Sequence, residues 1–384
     1  MPATNSQTLS QIQTLLSAFV QQGGSDLFIT QGCAISMKKD GQLIPITQGE
    51  LSPDACKQLV LGLMTAAQQQ QFLATKESNF AYRLADGARF RVNAFFQQGY
   101  VGSVIGMIRS DIPNLAELNL PGILTEIIQE KRGLILFVGA TGSGKSSSMA
   151  ASLIDYRNHH SQGHIITIED PIEFIHPHGK CLITQREVGI DTDSYEEALQ
   201  NTLRQAPDVI QIGEIRTQET MEHALNFAET GHLCLSTLHA NNANQAIERI
   251  VNFFPEARRA QLLMDLSLNL KAIVSQRLIP KQYGGRIAAV EVMLNTPRIA
   301  DLIFKGEIAE LKEAMKQSAE PGMQTFDQAL FTLYEEGTIS YEDTLRNADS
   351  LNDLRLKLKL ESQRFAQEAT NEDNTSSNLS LQDS

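Results

Sequence analysis

Eight consecutive residues constrain this chain more than any other stretch. Gly139-Ala140-Thr141-Gly142-Ser143-Gly144-Lys145-Ser146 fits the pattern G-x-x-x-x-G-K-S. The run lies between an apolar strand-like segment, Gly133 to Val138, and a helix expected to begin near Lys145. That context turns a string match into a site. The glycines let backbone N–H groups converge on phosphate oxygens, and the helix N-terminus adds positive potential at the same place. Lys145 is expected to reach the β- and γ-phosphates of a nucleoside triphosphate, and the Ser146 hydroxyl to ligate Mg²⁺. Thr141 reads as shaping the loop rather than doing chemistry. No N-K-x-D guanine-recognition motif occurs, so ATP is the expected nucleotide.

The flanking sequence carries the fold such a loop needs. His164 to Ile168, Val209 to Ile212 and Leu233 to Thr237 are short apolar runs separated by helix-length sequence, the pattern of an α/β core whose parallel sheet is covered on both faces. The N-terminal part reads differently. Ile12, Leu15, Leu16, Phe19 and Val20 repeat at helical spacing before Gly23-Gly24, and Asp40-Gly41 suggests a hairpin. Ser52-Pro53 opens a second helix, and alternation returns from Asn79 to Arg109. This predicts an α+β domain over 1–110, a linker over 111–122 marked by Pro113 and Pro121-Gly122, and the nucleotide-binding domain with its C-terminal helices over 123–361. Residues 362–384 are polar and are expected to be a disordered tail.

At 384 residues the chain has room for two cores. Thirty-two basic against forty-five acidic residues leave a formal charge of −13, which argues against an extended nucleic-acid interface and so against a DNA translocase. Cys33, Cys56, Cys181 and Cys234 never take C-x-x-C spacing, so reduced thiols in a cytoplasmic chain are expected rather than a zinc site or redox pair. Neither an eighteen-residue apolar run nor a signal-peptide pattern is present, which places any membrane contact at the surface or through a partner.

A triphosphatase needs a carboxylate to orient water and often another near the metal. Glu214 follows the strand 209–212, and Glu169 follows the strand 164–168, with Asp170 and Glu173 in support. Both sit where parallel sheets place functional groups, at the C-terminal ends of strands. Ser146, Glu169 and Glu214 are therefore the candidate metal ligands. Gln211 is a polar insert in an otherwise apolar strand. His232 and His239 flank the strand 233–238, too far apart for one shared metal centre. Arg204 and Arg216, with Arg89, Arg91 and Arg109 in the first domain, are the arginines from which a transition-state contact would be drawn. Composition and spacing do not choose among them.

Taken together, the loop 139–146, Ile168-Glu169-Asp170-Pro171-Ile172-Glu173, Gly213-Glu214-Ile215-Arg216 and Gly231-His232 through His239 resemble the Walker A, Asp, Walker B and His boxes of the secretion ATPases. More narrowly, the chain resembles the type IV pilus retraction ATPases, the PilT/PilU family, over about residues 12 to 360. Gly24-Ser25-Asp26-Leu27 and Arg89-Phe90-Arg91-Val92-Asn93 extend the similarity into the first domain. The resemblance implies a PAS-like N-terminal domain, a RecA-like ATPase domain and a homohexameric ring acting in pilus retraction and twitching motility. It also implies that Arg89, Arg91 and Arg109 approach the nucleotide, that Glu214 is the catalytic glutamate, that Glu169 is the acid of the Asp box, and that His232 and His239 form the His-box pair. Implied partners are the principal retraction ATPase and the inner-membrane platform protein, on the cytoplasmic side. Phe28, Ala206, Gln211 and Thr217 depart from the principal enzyme's pattern, and no A-I-R-N-L-x-E stretch is evident near 312–322. These departures point to the accessory branch, whose ATPase is weak or partner-dependent, or whose role is that of a nucleotide-binding scaffold. The tetracysteine element of extension and type II secretion ATPases is absent from the sequence.

Overall fold

The computed structural model describes residues 3–39, 42–108 and 111–367, except for the side chains of 3–8, 154 and 155. It separates into two compact units: one covering the chain to 111 together with 171–175 and 189–191, the other the remainder.

In the first unit the strands are β1 (Asp26–Ile29), β2 (Ser36–Lys39), β3 (Gln42–Pro45), β4 (Glu77–Arg83), β5 (Arg89–Gln97) and β6 (Tyr100–Ile108). They form one antiparallel sheet in the order β3-β2-β1-β6-β5-β4. Lys39 pairs with Gln42 across the β2–β3 hairpin; the expected turn at Asp40-Gly41 lies outside the described residues. Helix Ala3–Gln21 buries Ile12, Leu16 and Phe19 in the core of this unit, as the helical spacing predicts. Gly23 (φ 70°) carries the chain out of it, and Gly24 must lack a side chain because a Cβ there would lie 2.3 Å from the Phe19 ring. Ser52 caps helix Pro53–Gly62 by accepting from the Ala55 N–H, and Thr65 and Gln68 close a capping box on helix Ala66–Thr75. Such caps satisfy donors that have no intrahelical acceptor. The antiparallel sheet with its helices agrees with a PAS-like domain.

The second unit contains β7 (Gly133–Val138), β8 (Gly163–Glu169), β9 (Cys181–Glu187), β10 (Val209–Ile212), β11 (Leu233–Leu238), β12 (Leu270–Pro280) and β13 (Arg286–Leu294). Their order is β13-β12-β7-β11-β10-β8-β9, parallel throughout except for the antiparallel β12–β13 pair. Counting β7, β8, β10, β11 and β12 as first to fifth, the order 5-1-4-3-2 is that of a RecA-like core. Every residue of β7 and β11 is buried. Leu134, Leu136, Ile166, Ile210 and Cys234 pack on one face, and Ile135, Phe137, Ile165, Val209 and Leu235 on the other. Burial on both faces is why these strands are unbroken apolar runs in the sequence.

Strands β9, β12 and β13 go beyond those read from the sequence. Beyond β13, short helices run from Pro297 to Glu361, among them Phe326–Glu335, which opens on a Thr325–Gln328 capping box. The expectation of a disordered tail from 362 needs correcting at its start. Residues 363–367 are helical, the Arg364 guanidinium donates to the carbonyls of Tyr334 (2.7 Å) and Ile339 (3.1 Å), and Phe365 packs on Tyr341. Apolar and aromatic anchors hold this stretch despite its polar surroundings. The rest of the expected tail, 368–384, lies outside the described residues.

Candidate nucleotide-binding and catalytic site

The loop 139–146 leaves the end of β7 and enters the helix that starts at Lys145. Gly142 (φ 76°) and Gly144 (φ 93°) occupy the left-handed region that turns the backbone into the helix. A Cβ on Gly139 would fall 2.3 Å from Ser143 Oγ and 2.6 Å from the Gln276 carbonyl oxygen, so any side chain there would fill the cradle. The first-turn N–H groups have no intrahelical acceptors and face a ligand by default. Lys145, 7% exposed, donates from Nζ to the carbonyls of Gly139 (2.8 Å) and Ala140 (2.9 Å). It therefore holds the loop's ammonium inside the curve of its own backbone. Ser143 Oγ is buried without a hydrogen-bond partner among the described residues. A buried unpaired hydroxyl, a held ammonium and a side-chain-free cradle all fit a phosphate group.

Two clefts flank the loop and share Ala140 and Asn241. One, of about 310 Å³, is lined by residues 139–143 with Gln276, Arg277, Leu278 and Arg286; the other, of about 420 Å³, includes His239, Gln245, Glu248 and Arg249. Arg277 ties the first cleft to the C-terminal helices. It donates to the Asn347 carbonyl (2.6 Å) and the Asn241 carbonyl (3.2 Å), pairs with Asp349 (2.5 Å), and stacks 3.9 Å above the Phe326 ring. Asp349 also holds Lys312.

The end of β11 brings the loop and the acids together. The Gly139 N–H bonds the Leu238 carbonyl at 3.4 Å, while the Ile215 N–H bonds the Thr237 carbonyl (3.0 Å) and the Thr237 hydroxyl donates to the Gly213 carbonyl (2.7 Å). The Gly213 N–H in turn bonds the Ile168 carbonyl at 2.7 Å, so Glu169 and Glu214 emerge from neighbouring strand ends. Glu169 is 7% exposed and accepts from Thr167 Oγ1 (2.6 Å) and Gln185 Nε2 (3.3 Å). Glu214 pairs through Oε2 with Arg216 at 2.7 Å and lies 3.3 Å from His239 Nε2 through Oε1. One side of this carboxylate is thus charge-paired and the other meets an imidazole. Among the described residues, no group of three or more His, Cys, Asp or Glu side chains can hold a metal by itself.

The remaining candidates belong to other elements. His232 is at the opposite end of β11, near the Thr230 hydroxyl (3.1 Å) and the Phe227 carbonyl (3.3 Å). Seven extended steps at about 3.3 Å each put it roughly 23 Å from His239. His239 is brought to Glu214, whereas His232 closes a turn. Arg89 and Arg91 lie on β5 of the first unit, on the face opposite the buried Phe90, Val92 and Ala94; Arg109 lies outside the described residues. Glu173 also belongs to the first unit. Arg204 is exposed at the end of the short helix before β10, away from the strand's functional end. Thr217 caps helix Gln218–Glu229, and Ala206 adopts a left-handed φ of 51°. Gln211 is 3% exposed, in register between Thr167 of β8 and Leu235 of β11, and its Oε1 has no partner among the described residues.

Three polar residues near the site were not legible as such. Arg277 is one. Glu291, 2% exposed on β13, accepts from the Ala243 N–H (2.8 Å) and the Ser275 hydroxyl (3.0 Å), and burial pushes its carboxyl up to about 7. Tyr195 is the third: a Cβ on Gly213 would lie 2.6 Å from its hydroxyl. Burial first, then the charges of Asp170 and Glu169, push this phenol well above its ordinary range. No motif marks any of the three, because their neighbours are distant in sequence.

Comparison with known proteins agrees with this fold. The family model for type II/IV secretion system proteins matches residues 3–346. The type IV pilus ATPase PilU of Pseudomonas aeruginosa is 60% identical over 354 residues, covering 92% of each chain. The type IV pilus retraction ATPase PilT of the same organism is 40% identical over 337 residues, 88% of this chain and 98% of that one. A crystal structure of the pilus retraction motor PilT with bound ADP superposes with a TM-score of 0.83 at 37% identity, covering 89% of this chain and 98% of that one. The chain belongs to the type II/IV secretion system protein family and, within it, to the PilT/PilU group of type IV pilus ATPases.

Proposed function

We propose that this chain binds Mg-ATP at the loop 139–146 and hydrolyses it as a motor that assists type IV pilus retraction and twitching motility. The observation that carries the reading is the double attachment of the β11 end, to the phosphate loop through Leu238 and to the Glu214 segment through Thr237. It couples the place where phosphate binds to the place where a base stands. In this reading Lys145 and the loop N–H groups hold the phosphates, and Ser146 holds the metal, with Glu169 and Glu214 oriented toward it. Bound Mg²⁺ would neutralise charge on the phosphates. Glu214 orients the attacking water, and His239 and Arg216 fix the carboxylate. Arg89, Arg91 and Arg109 are assigned to the transition-state charge. In this reading the chain works as a homohexamer on the cytoplasmic side of the inner membrane, with the principal retraction ATPase and the platform protein; the relatives' names support the pilus-retraction setting.

A second reading, a nucleotide-binding scaffold with little turnover of its own, is favoured by one observation: both oxygens of Glu214 are already engaged, by Arg216 and His239. ATPase rates of wild type, E214Q and K145A, each alone and with the principal retraction ATPase, separate the two. A motor shows turnover lost in both variants, with nucleotide binding kept in E214Q. A scaffold supports retraction unchanged by either substitution. Hydrolysis by E214Q at the wild-type rate would overturn the assignment of Glu214.

A further inference from the structure

The phenol of Tyr195 stands in the acid cluster without a structural task that needs its hydroxyl. Tyr195 opens helix Tyr195–Thr202, whose N-cap is Ser194, accepting from the Glu197 N–H at 3.1 Å. The ring packs against the apolar core on one face of the sheet, so phenylalanine would satisfy that packing. The oxygen, however, reaches past the core to the backbone of Gly213. A Cβ built there would meet the hydroxyl at 2.6 Å, the Ile168 carbonyl oxygen at 3.2 Å and the Glu169 Cα at 3.3 Å. Only glycine before Glu214 leaves room for this approach. The charges that act on the hydroxyl are those of Asp170, Glu169 and Glu214, with Arg216 the one opposing cation; His239 reaches the same Glu214 carboxylate. The hydroxyl makes no hydrogen bond among the described residues.

A phenol hydroxyl is the donor toward a carboxylate or a water bound to one, because an ionised carboxylate only accepts. No hydrogen bond joins the hydroxyl to a carboxylate directly among the described residues, and a polar contact of this kind is made through water. We infer that Tyr195 is a positioning residue of the hydrolytic site, its hydroxyl donating to a water held between the carboxylates of Glu169 and Glu214. The donated bond biases that water's lone pairs and protons so that a proton faces Glu214. The inference rests on the reading of Glu214 as the hydrolytic carboxylate and adds a residue to it.

The test is Tyr195→Phe in the full chain, assayed under the same conditions as wild type, with E214Q as the control for the underlying reading. The expected result is a fall in kcat of about tenfold, the loss of one hydrogen bond at a charged centre. KM for ATP and the thermal midpoint should stay near wild type while kcat falls. A merely structural tyrosine would instead lower the thermal midpoint or leave kcat where it is. If E214Q abolishes turnover and Y195F keeps the wild-type kcat, or loses it only together with the thermal midpoint, the tyrosine inference is overturned while the site reading stands. If E214Q turns over normally, the site reading itself fails, and the inference with it.

Discussion

Glu291 offers a quantitative check on the wall behind the nucleotide clefts. Its carboxylate is almost completely enclosed, and the N–H it accepts from, that of Ala243, belongs to the first turn of helix Ala243–Phe253, just past Asn241. Burial is the leading cause of its raised pKa and the nearby Asp349 adds to it, while the Ala243 N–H, the Ser275 hydroxyl and Lys312 partly offset these. The shift is from an ordinary value of 4.5 to about 7. At about 1.4 kcal/mol per unit it corresponds to about 3 kcal/mol between the two protonation states. The sign follows from linkage. Below pH 4.5 the group is protonated in both the folded and the unfolded chain, and its stabilising contribution is complete. As pH rises through 4.5 the unfolded chain ionises first, so that contribution declines, and it is gone once the folded group ionises near pH 7. Glutamine removes the titration and leaves only a pH-independent offset from its unpaired amide protons. Denaturant unfolding of wild type and E291Q from pH 5 to pH 8 should therefore show the variant gaining about 2.5 kcal/mol relative to wild type as pH rises, most of it before pH 7.5. Parallel stability curves across that range would refute the reasoning, since they would mean that the folded state solvates the carboxylate as well as the unfolded chain does.

Other outcomes follow from individual placements. His239→Ala should lower kcat by about tenfold by freeing one oxygen of Glu214, whereas His232→Ala should leave kcat unchanged and cost about 1 kcal/mol through its lost turn contacts; steady-state ATPase assays and denaturation of both variants check this, and equal losses of kcat would contradict the separation of the two residues along β11. Ala206→Gly should raise stability by about 1 kcal/mol, because alanine in the left-handed region pays a steric cost that glycine avoids. An unchanged or lower denaturation midpoint would show that the position carries no such strain.

The phosphate loop, the parallel strands and both carboxylates were readable because each depends on local rules. A glycine-rich turn between a strand and a helix has few alternatives, and strands buried on two faces must be continuous apolar runs. The hairpin of β12 and β13 escaped because β12 carries Ser275, Gln276 and Arg277 in its middle, which breaks any apolar run. Those residues are tolerated because each serves a long-range contact: Ser275 with Glu291, the Gln276 carbonyl against Gly139, and Arg277 with Asp349. The start of the polar tail is not legible for the same reason, since Arg364 and Phe365 draw their stability from Tyr334 and Tyr341. Composition reports the average solvation of a segment and says nothing of a partner elsewhere in the chain.

By itself, then, the sequence determined that this chain is a P-loop ATPase-like protein with its acids at strand ends, because glycine torsions, strand periodicity and charge at the end of an apolar run are properties of a few adjacent residues. Only the tertiary structure decided which of two histidines on one strand meets Glu214, that Tyr195 reaches Gly213, and that Arg277 joins the cleft to the C-terminal helices. Those outcomes depend on sheet order and on the direction of each strand. They bring together groups 18 to 72 positions apart in the chain, and no local preference encodes such a distance.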